Sequence, residues 1–221
     1  MAVSVLIPTR GRPKRLKQCL ESLHATKTGE VEVLLYVDDD DPIRDEIIYP
    51  GKFVGPRVGL SLAIHKLIEL ASHPFMMLGS DDIIFKSEGW DQHLVNAMPK
   101  DGIGATYGRD GWNNNLNHFC FHRTWYDLTG LFPKDFEHFG PDGYIGQVCM
   151  ALNRRIHVEE VLIEHHHFKN QKATRDLVYD EPRNNGCVER DKNRLRAYEK
   201  TRIPEDIEIL RRHCERFSQG A

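Results

Sequence analysis

Val3 to Pro8 (VSVLIP) is a near-continuous apolar run of strand length, the pattern of a strand buried on both faces. Behind the polar turn TRGRP the period changes. Leu16, Cys19, Leu20 and Leu23 recur at helical spacing, with Pro13 suited to a first helical turn. Val31 to Val37 (VEVLLYV) returns to a strand and runs straight into Asp38, Asp39, Asp40 and Asp41. Past a Gly/Pro-rich link, Leu60, Ala63, Ile64, Leu67 and Ala71 mark a second amphipathic helix, and Phe75 to Leu78 (FMML) a third strand. Strand, helix, strand, helix, strand predicts an α/β open sheet with right-handed crossovers.

The second half is less regular. Two short strands are expected around GIGATYGRDGWNNNLNHFCF, flanking a polar loop. Asp142 to Leu152 predicts a helix with Ile145, Val148, Cys149 and Leu152 on one face. HVEEVLIEHHHF alternates as a strand, which puts Val161, Ile163, His165 and His167 on one side. Beyond Phe168 the chain turns polar (KNQKATRDLVYDEPRNNG), the composition of a mobile loop. Two helical pieces follow, the last with Ile207, Leu210, Cys214 and Phe217 on one stripe.

Length and composition narrow the classes. A chain of 221 residues suits one sizeable domain or a domain with a small appendage. At that size folding buries roughly 70% of the unfolded surface, so stability requires neither disulfides nor a structural metal. A net charge of −3 excludes a general nucleic-acid coat. Five scattered cysteines with no CxxC pair read as reduced thiols of a cytoplasmic protein. The apolar run at the N-terminus precedes its basic residues, the wrong order for a signal peptide, and no window has the apolar length of a membrane span.

In an open α/β sheet, ligands sit beyond the carboxyl ends of the strands. Three such ends carry polar groups here: Thr9, Arg10 and Arg12; the Asp38–Asp41 run; and Ser80, Asp81 and Asp82. Cations and carboxylates on one edge point to a phosphate ligand and a hard divalent ion, Mg²⁺ or Mn²⁺. Such ions use one or two carboxylates and take the rest of their shell from water and substrate phosphates. His165 or His167 would add an imidazole and favour Mn²⁺. Each feature has a plainer reading as well: DDDD as a solvated turn, SDD as a helix cap, three histidines as edge residues.

VSVLIPTRGRPKRLKQCLESL resembles the opening of the family-two-like glycosyltransferases with the GT-A fold, whose nucleotide-sugar site begins at this strand and turn. FMMLGSDDIIF falls where that family carries its Asp-x-Asp signature, with Gly79 at the first aspartate and Asp81 at the last. FEHFGPDGYIGQVCMAL resembles the segment bearing the catalytic base, and VLIEHHHF the strand that ends in a histidine near the metal. The resemblance covers roughly residues 3 to 170 in order. It implies a GT-A-type open mixed sheet flanked by helices, with a C-terminal helical segment. Residues 1–168 would be the catalytic domain, 1–82 its nucleotide-sugar half and 83–168 its acceptor half. Residues 169–221 would be a loop and helices packed on it.

The function implied is metal-dependent inverting transfer of a sugar from a nucleotide-diphosphate sugar, in first place a UDP-sugar, to an acceptor hydroxyl. Asp142 would be the general base. Pro8, Thr9, Arg10, Arg12, Asp38, Asp39, Ser80 and Asp81 would bind the donor, and Asp81, Asp82, His165 and His167 the Mn²⁺ or Mg²⁺. Trp112 and Asn113, in the polar loop, are the acceptor candidates. The acceptor stays open between a glycan, a small molecule and DNA, because stand-alone enzymes with DDI after the third strand look like bacteriophage glycosyltransferases. Some of those modify hydroxymethylated pyrimidines in DNA, which would make the host cytoplasm the compartment. Two other readings stand beside this one: a nucleotidyltransferase, and a non-catalytic nucleotide-sugar binding protein of the same fold.

Overall fold

A computed structural model describes residues 1–112 and 116–220. Among these, eight strands form one sheet. They are β1 (Val3–Thr9), β2 (Val31–Asp38), β3 (Lys52–Gly55), β4 (Phe75–Leu78), β5 (Ile83–Phe85), β6 (Ala105–Arg109), β7 (Cys120–His122) and β8 (Arg155–His165). The order across the sheet is β3-β2-β1-β4-β7-β6-β8-β5. The first half is parallel, as βαβ crossovers require, while β7 runs antiparallel to β4 and β5 antiparallel to β8. The expected open mixed α/β sheet is therefore the one observed.

The sheet separates two apolar layers, and the strand period explains how. Val3, Val5 and Ile7 of β1 point into one layer, with α1 (Pro13–Thr26) and α3 (Trp90–Asn96). Leu6 points into the other, with α2 (Leu60–Leu70), α4 (Arg123–Thr129), α5 (Pro141–Leu152) and α8 (Arg202–Gly220). Leu16, Cys19 and Leu23 are the buried stripe of α1, and Pro13 stands at its start. On α8 the stripe ends early: Leu210 is buried, Ile207 and Cys214 pack against the core, and Phe217 is exposed.

Three features depart from the sequence expectation. The Gly/Pro-rich link contains β3, an edge strand whose Phe53 and Val54 face solvent, so no burial pattern marks it. The segment read as a loop beyond Phe168 holds α6 (Leu177–Asn184), despite Pro182 inside it, and α7 (Cys187–Tyr198) follows. Strand β8 ends at His165, so His167 is not on the strand; its side chain caps a single 3₁₀ turn at Phe168–Asn170.

Register positions the polar ends. Thr9 lies beside Val37, next to Asp38, and Leu6 beside Leu78. The carboxyl ends of β1, β2 and β4 thus share one edge. Ile83 lies opposite His165, which sets the histidine run against the acidic pair immediately before Ile83.

Candidate active site

That edge opens into a cleft of about 650 Å³. Its wall carries Pro8, Thr9, Arg10 and Arg12 from β1 and the following turn, Asp38 from β2, and Ser80, Asp81 and Asp82 after β4. Asp142 reaches it from the start of α5, with His165 and His167 from the end of β8. The structure brings all these sequence-nominated residues together. Asp39 is elsewhere: its backbone N–H pairs with Gly55 and its side chain is exposed. Trp112 is half exposed outside the wall and stacks on the His167 ring at 5.4 Å. Asn113 lies outside the described residues.

Asp81 and Asp82 are both buried, and protein donors compensate them unequally. Asp82 Oδ1 accepts from Ser80 (2.6 Å) and faces His165 Nε2 (3.5 Å). Asp82 Oδ2 accepts from Tyr179 (2.8 Å) and Arg12 (3.3 Å). Those four partners match the roughly four lone-pair positions of a carboxylate. Asp81 has two partners, Thr9 (2.8 Å) on one oxygen and Arg12 (3.2 Å) on the other. The titrations diverge accordingly. Burial, with the neighbouring Asp82 charge, raises the Asp81 carboxyl against the pull of Arg12 and Thr9. Burial also acts on Asp82, but His165, Ser80 and Arg12 outweigh it and hold that carboxyl low.

Arg12 organises this corner. Its guanidinium grips Asp176 through two bonds (2.9 and 2.7 Å) and lies 4.1 Å over the Tyr179 ring. Burial opposes its charge, and the surrounding carboxylates more than restore it, so its pKa is raised. Asp176 and Tyr179 come from the start of the α6 segment, more than 160 residues away, and no local pattern in the sequence could have paired them with Arg12. Arg57 to Glu181 (2.7 Å) adds a second bridge to α6. Arg10 pairs instead with Asp38 (3.1 Å) and Asp40.

Asp142 has a different environment. It is the second residue of α5, after Gly140 and Pro141, where the positive end of the helix favours an anion. Solvent in the cleft reaches its side chain, which is exposed, yet protein crowds it closely enough to raise its carboxyl. Backbone N–H groups at the helix start oppose that rise. Glu137 also lines the cleft, but its carboxylate is committed to Arg190 (2.6 and 2.8 Å) and Arg194 (2.7 Å). Gly140 has φ +109°, and a Cβ there would meet the Phe136 ring at 2.5 Å, so the approach to Asp142 requires glycine.

Sequence reasoning also missed His118. It lines the cleft edge-on to His165, at 5.0 Å between ring centroids. Burial and the His165 charge lower it to about 3, so it is neutral.

For a divalent ion, the donor set gives a partial but chemically suitable fit. Among the described residues no three His, Cys, Asp or Glu side chains are grouped to cage a metal. Asp81 still has lone pairs to offer, and among the described residues the buried Nδ1 of His165 has no hydrogen-bond partner. Asp82 is filled, and the Nδ1 of His167 accepts the Lys169 N–H. The signature position Gly79 could not contribute either. A Cβ there would stand 3.0 Å from Ile7 and 3.1 Å from Val5, in the core and not in the cleft.

An open mixed sheet with acids and cations at the ends of β1, β2 and β4 defines a GT-A-type fold, shared with solved glycosyltransferases. The mannosyltransferase PcManGT from Pyrobaculum calidifontis, in complex with GDP-Man and Mn²⁺, superposes with a TM-score of 0.60 at 12% identity, covering 99% of this chain and 75% of that one. S. aureus TarS 1-349 in complex with UDP-GlcNAc gives 0.58 at 13% identity, covering 74% and 57%. The same TarS fragment in another crystal gives 0.51 at 14% identity, covering 74% and 59%, so this chain spans less than two thirds of TarS 1-349. No curated protein sequence matches significantly. The family model for glycosyl transferase family 2 matches residues 4–162, and the chain belongs to that family. Among the described residues no helix is long and apolar enough to cross a membrane.

Proposed function

We propose that this protein transfers a glycosyl group from a nucleotide-diphosphate sugar to an acceptor hydroxyl, with inversion at the anomeric carbon. The observation that carries the reading is a single cleft, in a family 2 chain, that holds a solvent-reached Asp142 together with Asp81, Arg10 and Arg12. Asp142 takes the proton from the acceptor hydroxyl as that oxygen attacks. Its carboxyl, raised by burial against the pull of the helix N–H groups, is a better base than an ordinary aspartate. Asp38, at the end of β2, faces the base and ribose of the donor. Arg10 and Arg12 face its diphosphate, for which Asp176 competes as a carboxylate on Arg12.

A divalent ion would be held by Asp81 and the donor phosphates, with His165 of the same cleft as the candidate imidazole, and it would neutralise charge on the departing diphosphate. Similarity to structures solved with UDP-GlcNAc and with GDP-Man and Mn²⁺ supports a nucleotide-sugar donor and Mn²⁺. A UDP-sugar is the first donor to try.

DNA as acceptor has little electrostatic support in the fold. Arg10, Arg12 and Arg15 are paired with Asp38, Asp40, Asp81, Asp82 and Asp176, and Arg190, Arg194 and Arg202 with Glu137, Asp191 and Asp206. A glycan or small-molecule hydroxyl is the favoured acceptor. The test is incubation with Mn²⁺ and a panel of UDP-sugars and GDP-mannose, following release of nucleoside diphosphate. Acceptors would be sugars and duplex DNA carrying 5-hydroxymethylpyrimidines. Release that Asp142→Asn abolishes while donor binding persists supports the transferase. Donor binding without turnover in the wild type supports the binding-protein reading instead.

A further inference from the structure

Asp191 is fully buried in α7, outside the matched residues 4–162, and its carboxylate is aimed back at the base-bearing segment. Oδ1 accepts the backbone N–H of Glu137 (3.0 Å), and Oδ2 accepts those of His138 and Phe139 (both 2.9 Å). Three successive N–H groups wrapped on one anion form a backbone nest. Arg194 (2.8 Å) and the Cys187 thiol (3.3 Å) complete its partners. Burial alone would raise the carboxyl, and these donors hold it low and ionised. The three N–H groups otherwise belong to an irregular stretch with no helix or strand to satisfy them.

That stretch leads through Gly140 and Pro141 directly into Asp142. Its other side is fastened to the start of α2, where the Leu60 and Ser61 N–H groups donate to the Glu137 and Phe136 carbonyls (2.7 and 3.3 Å). We propose that Asp191 is a positioning residue for catalysis: its carboxylate fixes the 137–139 backbone and so sets where α5 begins and where Asp142 points. Asp191 touches neither donor nor acceptor. The inference rests on Asp142 being the base, and it makes the C-terminal helices part of the active-site frame.

The test compares Asp191→Asn, Asp142→Asn and the double variant in Mn²⁺-dependent release of nucleoside diphosphate from UDP-N-acetylglucosamine and GDP-mannose. Amide hydrogen exchange at 137–139 is followed in parallel. Asn keeps the shape and removes the charge. Expected are faster exchange at those three amides, a fall in kcat of about tenfold or more with donor KM within twofold, and a double variant no slower than Asp142→Asn alone. Arg194→Gln, which withdraws one partner from Asp191 and one from Glu137 at a half-buried position, should move kcat the same way by less and covers the case in which Asp191→Asn does not fold. Unchanged exchange, a loss in KM alone, or losses that multiply in the double variant would overturn the positioning role while leaving Asp142 as base. Full activity in Asp142→Asn would remove the base assignment and this inference together.

Discussion

Two corners of one cleft handle carboxylates in opposite ways. At the donor corner, Asp81 and Asp82 are buried and their charge is met by Arg12, Thr9, Ser80, His165 and Tyr179. At the corner of Asp142, that residue has no ion pair among the described residues; its side chain is exposed and the backbone N–H groups of the helix terminus face it. The first arrangement holds charge in place, where removing a partner strands the others. The second leaves a carboxylate able to take a proton. On the proposed assignment of Asp142 as base, burial is a poor guide to which acid reacts, and the number of committed partners is the better one.

If the two corners differ in this way, substitutions should separate chemistry from stability. The largest effect is expected at the base corner: Asp142→Asn should lower kcat by about 10²–10⁴-fold and leave the melting temperature nearly unchanged. A large fall in melting temperature instead would make Asp142 a structural acid. Next comes Asp82→Ala, which strands Arg12, His165 and Tyr179; a loss of about 3–5 kcal/mol is expected on chemical denaturation, as for one partner removed from a buried pair. A loss under 1 kcal/mol would show that the cluster is solvated.

The pH dependence should also split. The rate should rise with pH as Asp142 ionises, its acid limb lying above the ordinary aspartate value of about 3.9, because its folded carboxyl is raised. An acid limb at or below that value would break the assignment. Asp82 has a depressed carboxyl, so the stability it contributes is present above its unfolded pKa and is lost as pH falls through its folded one; Asp81, shifted the other way, offsets part of this. The smallest effect is expected from Gly79→Ala, about 1–3 kcal/mol of overpacking against Val5 and Ile7, measured by urea denaturation. No destabilisation would mean that the core there yields freely.

How far the sequence could be read depended on the range of the interaction. β1, β2 and β4 were legible because strands buried on both faces along most of their length are largely apolar. β3 was not, since an edge strand with Phe53 and Val54 in water has no core face to mark it. The acids and cations at strand ends were legible from topology, and Asp142 from its motif. Asp39 shows the limit of that logic: one residue past Asp38, the turn faces the side chain into water. The partners that decide protonation, Asp176 and Tyr179 for Arg12 and Asp191 for the 137–139 backbone, lie 52 to 167 residues away in sequence, and they come from segments that read locally as polar loop or helix.

Gly79 has one further consequence. With its position packed against Val5 and Ile7, the protein cannot gain a second open carboxylate there, and Asp82 has none of its oxygens free. A cation held by so few protein groups would have to share its shell with the donor's phosphates. Linkage then makes the two ligands reciprocal: whatever factor the nucleotide sugar adds to cation affinity, the cation returns to nucleotide-sugar affinity. Calorimetric titration of either one alone should therefore give a weak isotherm, and titration of one in the presence of the other a much steeper one.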